Sequence, residues 1–179
     1  MIEVQRPGSD EYAEFYQRYI ERVPQGDIRL ILRVQLADTI ALLRPLSEQQ
    51  AGFRYAADKW SIRQVIGHLI DGERIMTYRA LRIARTDATP LPGYEENVYA
   101  ENAGSDTRTL HSLMAELEVV RQATAALFQH LPENAWTRGG VANGSNVSVR
   151  ALAYIIAGHE LHHRELLQTR YLAAMAQPA

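Results

Sequence analysis

Residues 60–69 of this chain read Trp60-Ser61-Ile62-Arg63-Gln64-Val65-Ile66-Gly67-His68-Leu69. Ser61 is a preferred type of helix N-cap, and Gln64 is placed three positions later to complete a capping box. Trp60 precedes the cap and is spaced to pack against Val65 as a hydrophobic staple. Because apolar residues then recur at helical spacing, the stretch predicts the start of a long amphipathic helix that ends near Arg85.

The rest of the chain shows the same helical spacing of apolar residues, and no segment shows sustained strand-like alternation. The further predicted helices are a short leading one over residues 10–23 and three long ones over 27–44, from Ser105 or Asp106 to before Pro132, and from Ser148 to beyond Tyr171. Between them we predict a long loop after Arg85 through Gly104 and a flexible loop over 139–146. The fold class is therefore predicted to be all-α, a four-helix bundle with a short additional N-terminal helix, in one domain over residues 1–179.

The amino-acid composition excludes several classes of partner and of site. The 19 basic and 21 acidic residues are interspersed, so we expect no basic stripe and no nucleic-acid partner. The chain has no cysteine, so any metal would be held by nitrogen and oxygen atoms. Charged residues interrupt the first ten positions, and no stretch approaches the roughly 20 apolar residues of a membrane span. We therefore expect a cytoplasmic protein without a membrane partner.

Three histidines lie on the apolar faces of two predicted helices. His68 lies in the helix that begins at Ser61, and His159 and His163 lie four residues apart in the last helix. Residues four apart share one helix face and lie roughly 6 Å apart along the axis. One divalent ion would satisfy three buried imidazole nitrogens at once and leave positions open for water or substrate. The pattern therefore indicates a three-histidine metal site, although each histidine could instead be an ordinary core residue with one hydrogen bond.

Residues 159–163 also read as His-Glu-x-x-His, the helical motif in which two histidines hold zinc and the glutamate activates water. Glu160 is therefore our candidate catalytic residue, as a general base or as a partner that orients a ligand imidazole. A metallopeptidase is less favoured, because only 16 residues follow His163 and none of them is a histidine. We also predict no strand that could align a peptide substrate.

Two stretches of the sequence resemble the DinB-like, or DinB/YfiT, family of metal-dependent four-helix-bundle proteins. Residues 60–69 are similar to the family pattern W-[ST]-x-x-[EQ]-[VI]-x-x-H-[LI], and residues 159–164 are similar to its H-x-x-H-H-R stretch. The resemblance covers most of residues 27–172, and it implies that His68, His159 and His163 are metal ligands. The chain departs from many relatives after this second stretch, where it carries Glu165 and Leu166 instead of glycine and glutamine.

The resemblance implies a divalent metal, most often zinc or nickel, and a homodimer. Characterised relatives include thiol-dependent transferases and isomerases, so a low-molecular-weight thiol such as bacillithiol or mycothiol is an implied cosubstrate. Our predicted function is that of a divalent-metal-dependent enzyme, either a thiol-dependent transferase or a hydrolase, that acts on a small molecule. The alternatives are a non-catalytic metal-binding or stress-associated dimeric bundle protein, and a plain helical dimer with structural histidines.

Several other residues are candidates for supporting such a site. The polar candidates are Tyr94, Asn97, Tyr99 and Asn102 in the long loop, with Gln35 and Thr39 on the first long helix. Each of these could instead pack, cap a helix or form a hydrogen bond between helices. Gly67 and Gly158 each precede a candidate ligand, where they would allow close helix approach or leave space beside an ion.

Overall fold

The computed structural model of this protein describes residues 4–176. The helices are α1 (Gln17–Ile20), α2 (Ile28–Val34), α3 (Leu36–Leu43), α4 (Glu48–Ala51), α5 (Ile62–Ala84), α6 (Glu96–Asn102), α7 (Leu110–Gln129), α8 (Val149–Leu166) and α9 (Ala173–Met175). A π-helical segment, Leu167–Leu172, joins α8 to α9, and the strands β1 (Gly139–Ala142) and β2 (Ser145–Ser148) form an antiparallel hairpin. Short 3-10 turns lie at Ser9–Glu11, Glu14–Tyr16, Ser105–Thr107 and Glu133–Ala135.

The four long helical segments pack as the predicted bundle, which confirms the all-α class. The pair α2–α3 contacts α7 and α8, and α5 contacts the same two helices from the other side. Ser61 starts α5 as predicted: its hydroxyl accepts from the Gln64 amide N–H at 3.1 Å, and the Gln64 side chain accepts from the Ser61 N–H at 3.1 Å. Ser148 likewise caps α8 by accepting from the amide N–H of Ala151 at 3.0 Å.

Two clusters of buried apolar side chains fill the bundle. One lies around the start of α2, the end of α5 and the first half of α8, and the other around α3, the start of α5 and the first half of α7. Buried polar residues separate them, and one comes from each helical segment: Gln35, Glu73, Arg121 and Glu160. We call these four residues the polar layer.

The leading helix over residues 10–23 is only partly present. Two 3-10 turns come first, and the helix itself is confined to Gln17–Ile20. Tyr12 is fully extended, and Arg6 donates to the backbone carbonyls of Ile20 and Val23 at the end of the segment. These tertiary contacts override the local periodicity of the aromatic residues.

The first long helix and the third also differ from the prediction. The first is interrupted at Gln35, whose side chain donates to the Ala157 carbonyl at 3.0 Å and to Glu160. The third begins at Leu110, because Thr109 caps it by accepting from the Ser112 amide N–H at 3.2 Å. Asp106 instead accepts hydrogen bonds from Ser61 and from Arg54.

The predicted flexible loop over 139–146 is instead part of the β1–β2 hairpin. Asn143 and Gly144 form its tip with φ angles of 51° and 73°, as a type I′ turn requires. Leu91 in the long loop pairs with this hairpin, donating to the Val141 carbonyl at 2.9 Å and accepting from the Asn143 N–H at 3.0 Å. The hairpin therefore fixes the course of the long loop over one side of the bundle. Over residues 4–176, no helix is both long enough and apolar enough to cross a membrane.

Candidate metal centre

The structure brings the three predicted histidines together. The Nε2 atom of His159 lies 2.9 Å from that of His68 and 3.1 Å from that of His163. One ligand nitrogen from each of the three rings lies within 4.8 Å of the others. His68 and His163 are buried, and His159 is partly buried at the edge of a cavity. Helices α5 and α8 therefore deliver three ring nitrogens to one point.

The three imidazoles are neutral at physiological pH. Burial lowers the pKa of His68 to about 4, and burial together with the neighbouring histidines lowers the pKa of His159 and of His163 well below the ordinary value. A neutral imidazole nitrogen that carries no proton offers a lone pair. Each ring can therefore act as a metal ligand without first losing a charge.

The arrangement fits a divalent cation better than it fits hydrogen bonding alone. The Nε2 atom of His159 faces two other ring nitrogens, but it holds only one proton or one lone pair. Nitrogens bound to one ion at ~2.0–2.1 Å lie roughly 3.0–3.4 Å from each other, which is close to the two separations that involve His159.

Neighbouring residues position the three rings. The Tyr19 ring lies edge-on to His159 with centroids 5.3 Å apart, and the Trp60 ring lies 4.7 Å from that of His68. Gly72, one turn after His68 on α5, lies against His159: a methyl group there would be 3.3 Å from His159 Cε1. Gly72 was not predicted to lie at the site, although its spacing of four from His68 places both residues on one helix face.

Gly67 and Gly158, the two glycines that precede candidate ligands, allow other parts of the chain to pack closely against their helices. A side chain at Gly67 would overlap the Ser105 hydroxyl, and one at Gly158 would overlap the backbone carbonyl of Tyr19. Gly158 therefore lets the end of the N-terminal segment lie directly on α8. The space beside the imidazoles comes from Gly72 instead.

Glu160 lies in the polar layer. One carboxylate oxygen accepts from Thr39 at 2.6 Å, and the other accepts from Gln35 and from Arg121, the latter at 2.7 Å. For Gln35 and Thr39, the structure thus shows hydrogen bonds between helices. The catalytic role of Glu160 stays a prediction, and these contacts favour a structural role.

Arg121 links two buried carboxylates. Its guanidinium donates to Glu73 at 2.8 and 2.9 Å as well as to Glu160. Burial opposes the charged form, but the two carboxylates outweigh it and hold the pKa of Arg121 above its ordinary value. The polar layer therefore contains a fully paired cation behind the histidines.

A cavity of about 300 Å³ opens beside His68 and His159. Its polar and aromatic lining includes Tyr16, Tyr19, Arg79, Tyr94 and Asn143. Of the four loop candidates only Tyr94 lines it, while Asn97 bonds to Glu95 and Asn102 to the Val98 carbonyl.

Arg79 and Asn143 line the cavity, but neither was among the site residues predicted from the sequence. Arg79 follows His68 by eleven positions, which is three helical turns and returns to the same face of α5. This spacing could have identified Arg79 from the sequence alone. Asn143 reaches the cavity only because the hairpin folds onto the long loop.

Comparisons with known proteins agree on the family. Residues 31–167 match the DinB superfamily. A curated protein from Oceanobacillus iheyensis, named "putative metal-dependent hydrolase", is 27% identical over 121 residues, which are 66% of this chain and 68% of that protein.

Two solved structures share the fold. YfiT from Bacillus subtilis, described as a probable metal-dependent hydrolase with an unusual four-helix bundle topology, has a TM-score of 0.74 and 20% identity, covering 98% of this chain and 95% of that one. A mycothiol-dependent maleylpyruvate isomerase has a TM-score of 0.67 and 14% identity, covering 82% of this chain and 61% of that one. At identities of 20% and 14%, the similarity to these two structures shows only that the fold is shared.

Proposed function

The chain belongs to the DinB superfamily, and from that premise we propose that it is a divalent-metal-dependent enzyme whose small-molecule substrate binds in the cavity beside His68 and His159. The observation that carries the proposal is the meeting of three neutral imidazole nitrogens at the edge of this cavity. His68, His159 and His163 would hold the cation, and zinc or nickel suits such nitrogen ligands.

A cation held there supplies Lewis acidity, which activates water in a hydrolase or a low-molecular-weight thiol in a transferase. Both classes remain open for this chain. Two relatives are named as hydrolases and one as a mycothiol-dependent isomerase, which supports metal-dependent chemistry without choosing between the classes.

The side chains of the cavity wall would bind and orient the substrate. Burial raises the pKa of Tyr94 to about 12, so its phenol keeps its proton at neutral pH and can donate a hydrogen bond. A methyl group on Gly72 would contact both Tyr94 and His159, so the phenol lies close to the imidazoles. The rings of Tyr16 and Tyr19 line the same cavity and offer apolar surface to a substrate.

The surroundings of Glu160 argue against the metallopeptidase alternative. That mechanism needs a carboxylate free to take a proton from water. Both oxygens of Glu160 instead accept hydrogen bonds from buried side chains.

Metal analysis of untagged protein tests the proposal. We expect about one equivalent of zinc or nickel in the wild type, and at least a tenfold loss of metal affinity in His68→Ala and His163→Ala, because each variant removes one ligand. His111→Ala is the matched control, since His111 is exposed on α7. Equal metal content in the wild type and His68→Ala would refute the proposed site.

Turnover separates the enzyme from a non-catalytic metal-binding bundle. The metal-loaded protein would be assayed with esters, amides and electrophiles that accept a thiol. Hydrolysis or thiol transfer that is lost in His68→Ala supports catalysis. A fully metal-loaded protein that turns over none of them would favour the binding protein.

Four further expectations stay predictions for this chain. We propose a homodimer, a cytoplasmic location and a single domain, and no nucleic-acid partner. Light scattering of the purified protein would measure the oligomeric state directly.

A further inference from the structure

Arg79 is a buried cation in the wall of the cavity. The residue is 3% exposed, and it lines the same cavity as His68 and His159. One terminal nitrogen donates to the Pro92 carbonyl at 2.6 Å, and the other contacts the Met76 sulfur at 3.6 Å. Within residues 4–176, Arg79 forms no ion pair.

Burying a guanidinium in this position without an anion costs free energy, because the charge loses its hydration. The guanidinium keeps its charge at any physiological pH, and a buried charge is normally paired. Arg121 provides a direct comparison within the chain, because it is equally buried at 3% exposure but lies between the carboxylates of Glu73 and Glu160. The contacts of Arg79 with Pro92 and Met76 use two of its five N–H groups, so donors remain for a molecule in the cavity.

We propose that Arg79 binds a carboxylate group of the substrate, which makes the substrate a small carboxylic acid. This inference rests on the proposed function, because it places the reacting end of that molecule at the three histidines. Arg79 follows Gly72 by seven residues, or about 10 Å along the helix axis, and helical side chains lean toward the N-terminus. The guanidinium thus lies within a small molecule's length of His159.

The electrostatics of the cavity favour a carboxylate over a phosphate. A carboxylate is planar and matches the guanidinium fork with two parallel hydrogen bonds. Glu95 and Glu96 also line the cavity, and acidic side chains there repel a dianion more strongly than the single charge of a carboxylate. The Tyr94 ring lies 6.0 Å from the guanidinium carbon and helps to hold its orientation.

Binding of benzoate and of its neutral analogue benzamide tests the inference by titration calorimetry. We expect the zinc-loaded wild type to bind benzoate at least tenfold more tightly than benzamide. Arg79→Gln should weaken benzoate binding at least tenfold and leave benzamide unchanged, and Arg79→Lys should be intermediate. Arg74→Gln is the control, because Arg74 lies on the same helix, outside the cavity and 51% exposed.

The outcomes distinguish the two proposals. Repeating the titration with chelator-treated protein measures the contribution of Arg79 without metal. Normal metal content with equal benzoate affinity in the wild type and Arg79→Gln would overturn the role of Arg79 alone. A wild type without metal that still binds benzoate through Arg79 would overturn the metal site alone. No benzoate binding to the wild type, or tighter binding of inorganic phosphate through Arg79, would also overturn the carboxylate assignment.

A spectroscopic measurement covers the case in which Arg79→Gln does not fold. The Nε–H signal of Arg79 in the wild-type NMR spectrum is identified by its absence in Arg79→Lys. We expect this signal to shift with benzoate and not with benzamide. An unchanged signal at saturating benzoate would overturn the inference.

Discussion

Gly72 is the residue whose lack of a side chain shapes the site most directly. A methyl group there would lie 3.3 Å from His159 Cε1 and 3.6 Å from the Tyr94 hydroxyl. The first distance is tighter than ordinary van der Waals contact, so the imidazole would have to shift away from the other two rings.

We therefore expect Gly72→Ala to weaken metal binding about tenfold, as changes beside metal ligands commonly do. Competition with a chromogenic chelator would measure the affinity. Gly139→Ala is the matched control, because Gly139 is exposed and a methyl group there would meet only the Val147 carbonyl oxygen, at an ordinary contact distance of 4.0 Å. Unchanged metal affinity in Gly72→Ala would show that the ring of His159 tolerates displacement.

At the scale of elements, a partly buried ion pair attaches the N-terminal segment to α8. Arg150 donates to Glu11 through Nε at 2.7 Å and through a second nitrogen. Burial alone would raise the pKa of Glu11, but the hydrogen bonds from Arg150, Ser148 and the Gly8 backbone lower it to about 2. This contact holds the segment whose aromatic residues line the cavity.

The lowered pKa predicts a pH-dependent contribution to stability. Because the folded carboxylate has a lower pKa than the ordinary 4.5, the stabilisation is present above about pH 4.5 and is lost as the pH falls toward 2. We expect Glu11→Gln to lower the free energy of unfolding at pH 7 by about 1 kcal/mol, with a smaller difference from wild type at pH 3. Urea unfolding at both pH values measures this, with exposed Glu14→Gln as control. An equal loss at both pH values would contradict the assigned pKa.

At the scale of the whole molecule, the polar layer connects all four helical segments of the bundle. Gln35, Glu73, Arg121 and Glu160 lie between the two apolar clusters and hydrogen-bond to one another. Glu160 directly follows His159. The contacts that join the helices therefore also fix the position of α8 along its axis, and with it the position of His159.

We expect Glu160→Gln to lower the free energy of unfolding by about 2 kcal/mol, because it removes the charge that Arg121 and Thr39 donate to. Metal content should stay within a factor of two. Urea unfolding and metal analysis would be compared with Glu165→Gln, whose side chain is exposed. Unchanged stability together with lost turnover would instead support a catalytic role for Glu160.

Much of the bundle and of the three-histidine cluster was predictable because both depend on neighbours in the chain. The caps at Ser61 and Ser148 and the four-residue spacing of His159 and His163 are local patterns. The Asn143–Gly144 turn was local too, and it was missed because the short strands beside it show little alternation.

The sequence alone thus determined the helical class, the starts of two long helices and which three imidazoles face the core. Only the tertiary structure decided that Asp106 binds Ser61 rather than capping α7, and that Gly72 faces His159. It also decided that Arg121 has carboxylate partners, while Arg79 has none among residues 4–176. The physical reason is that caps and periodicity act within a few residues, whereas ion pairs and close packing join residues far apart in the chain.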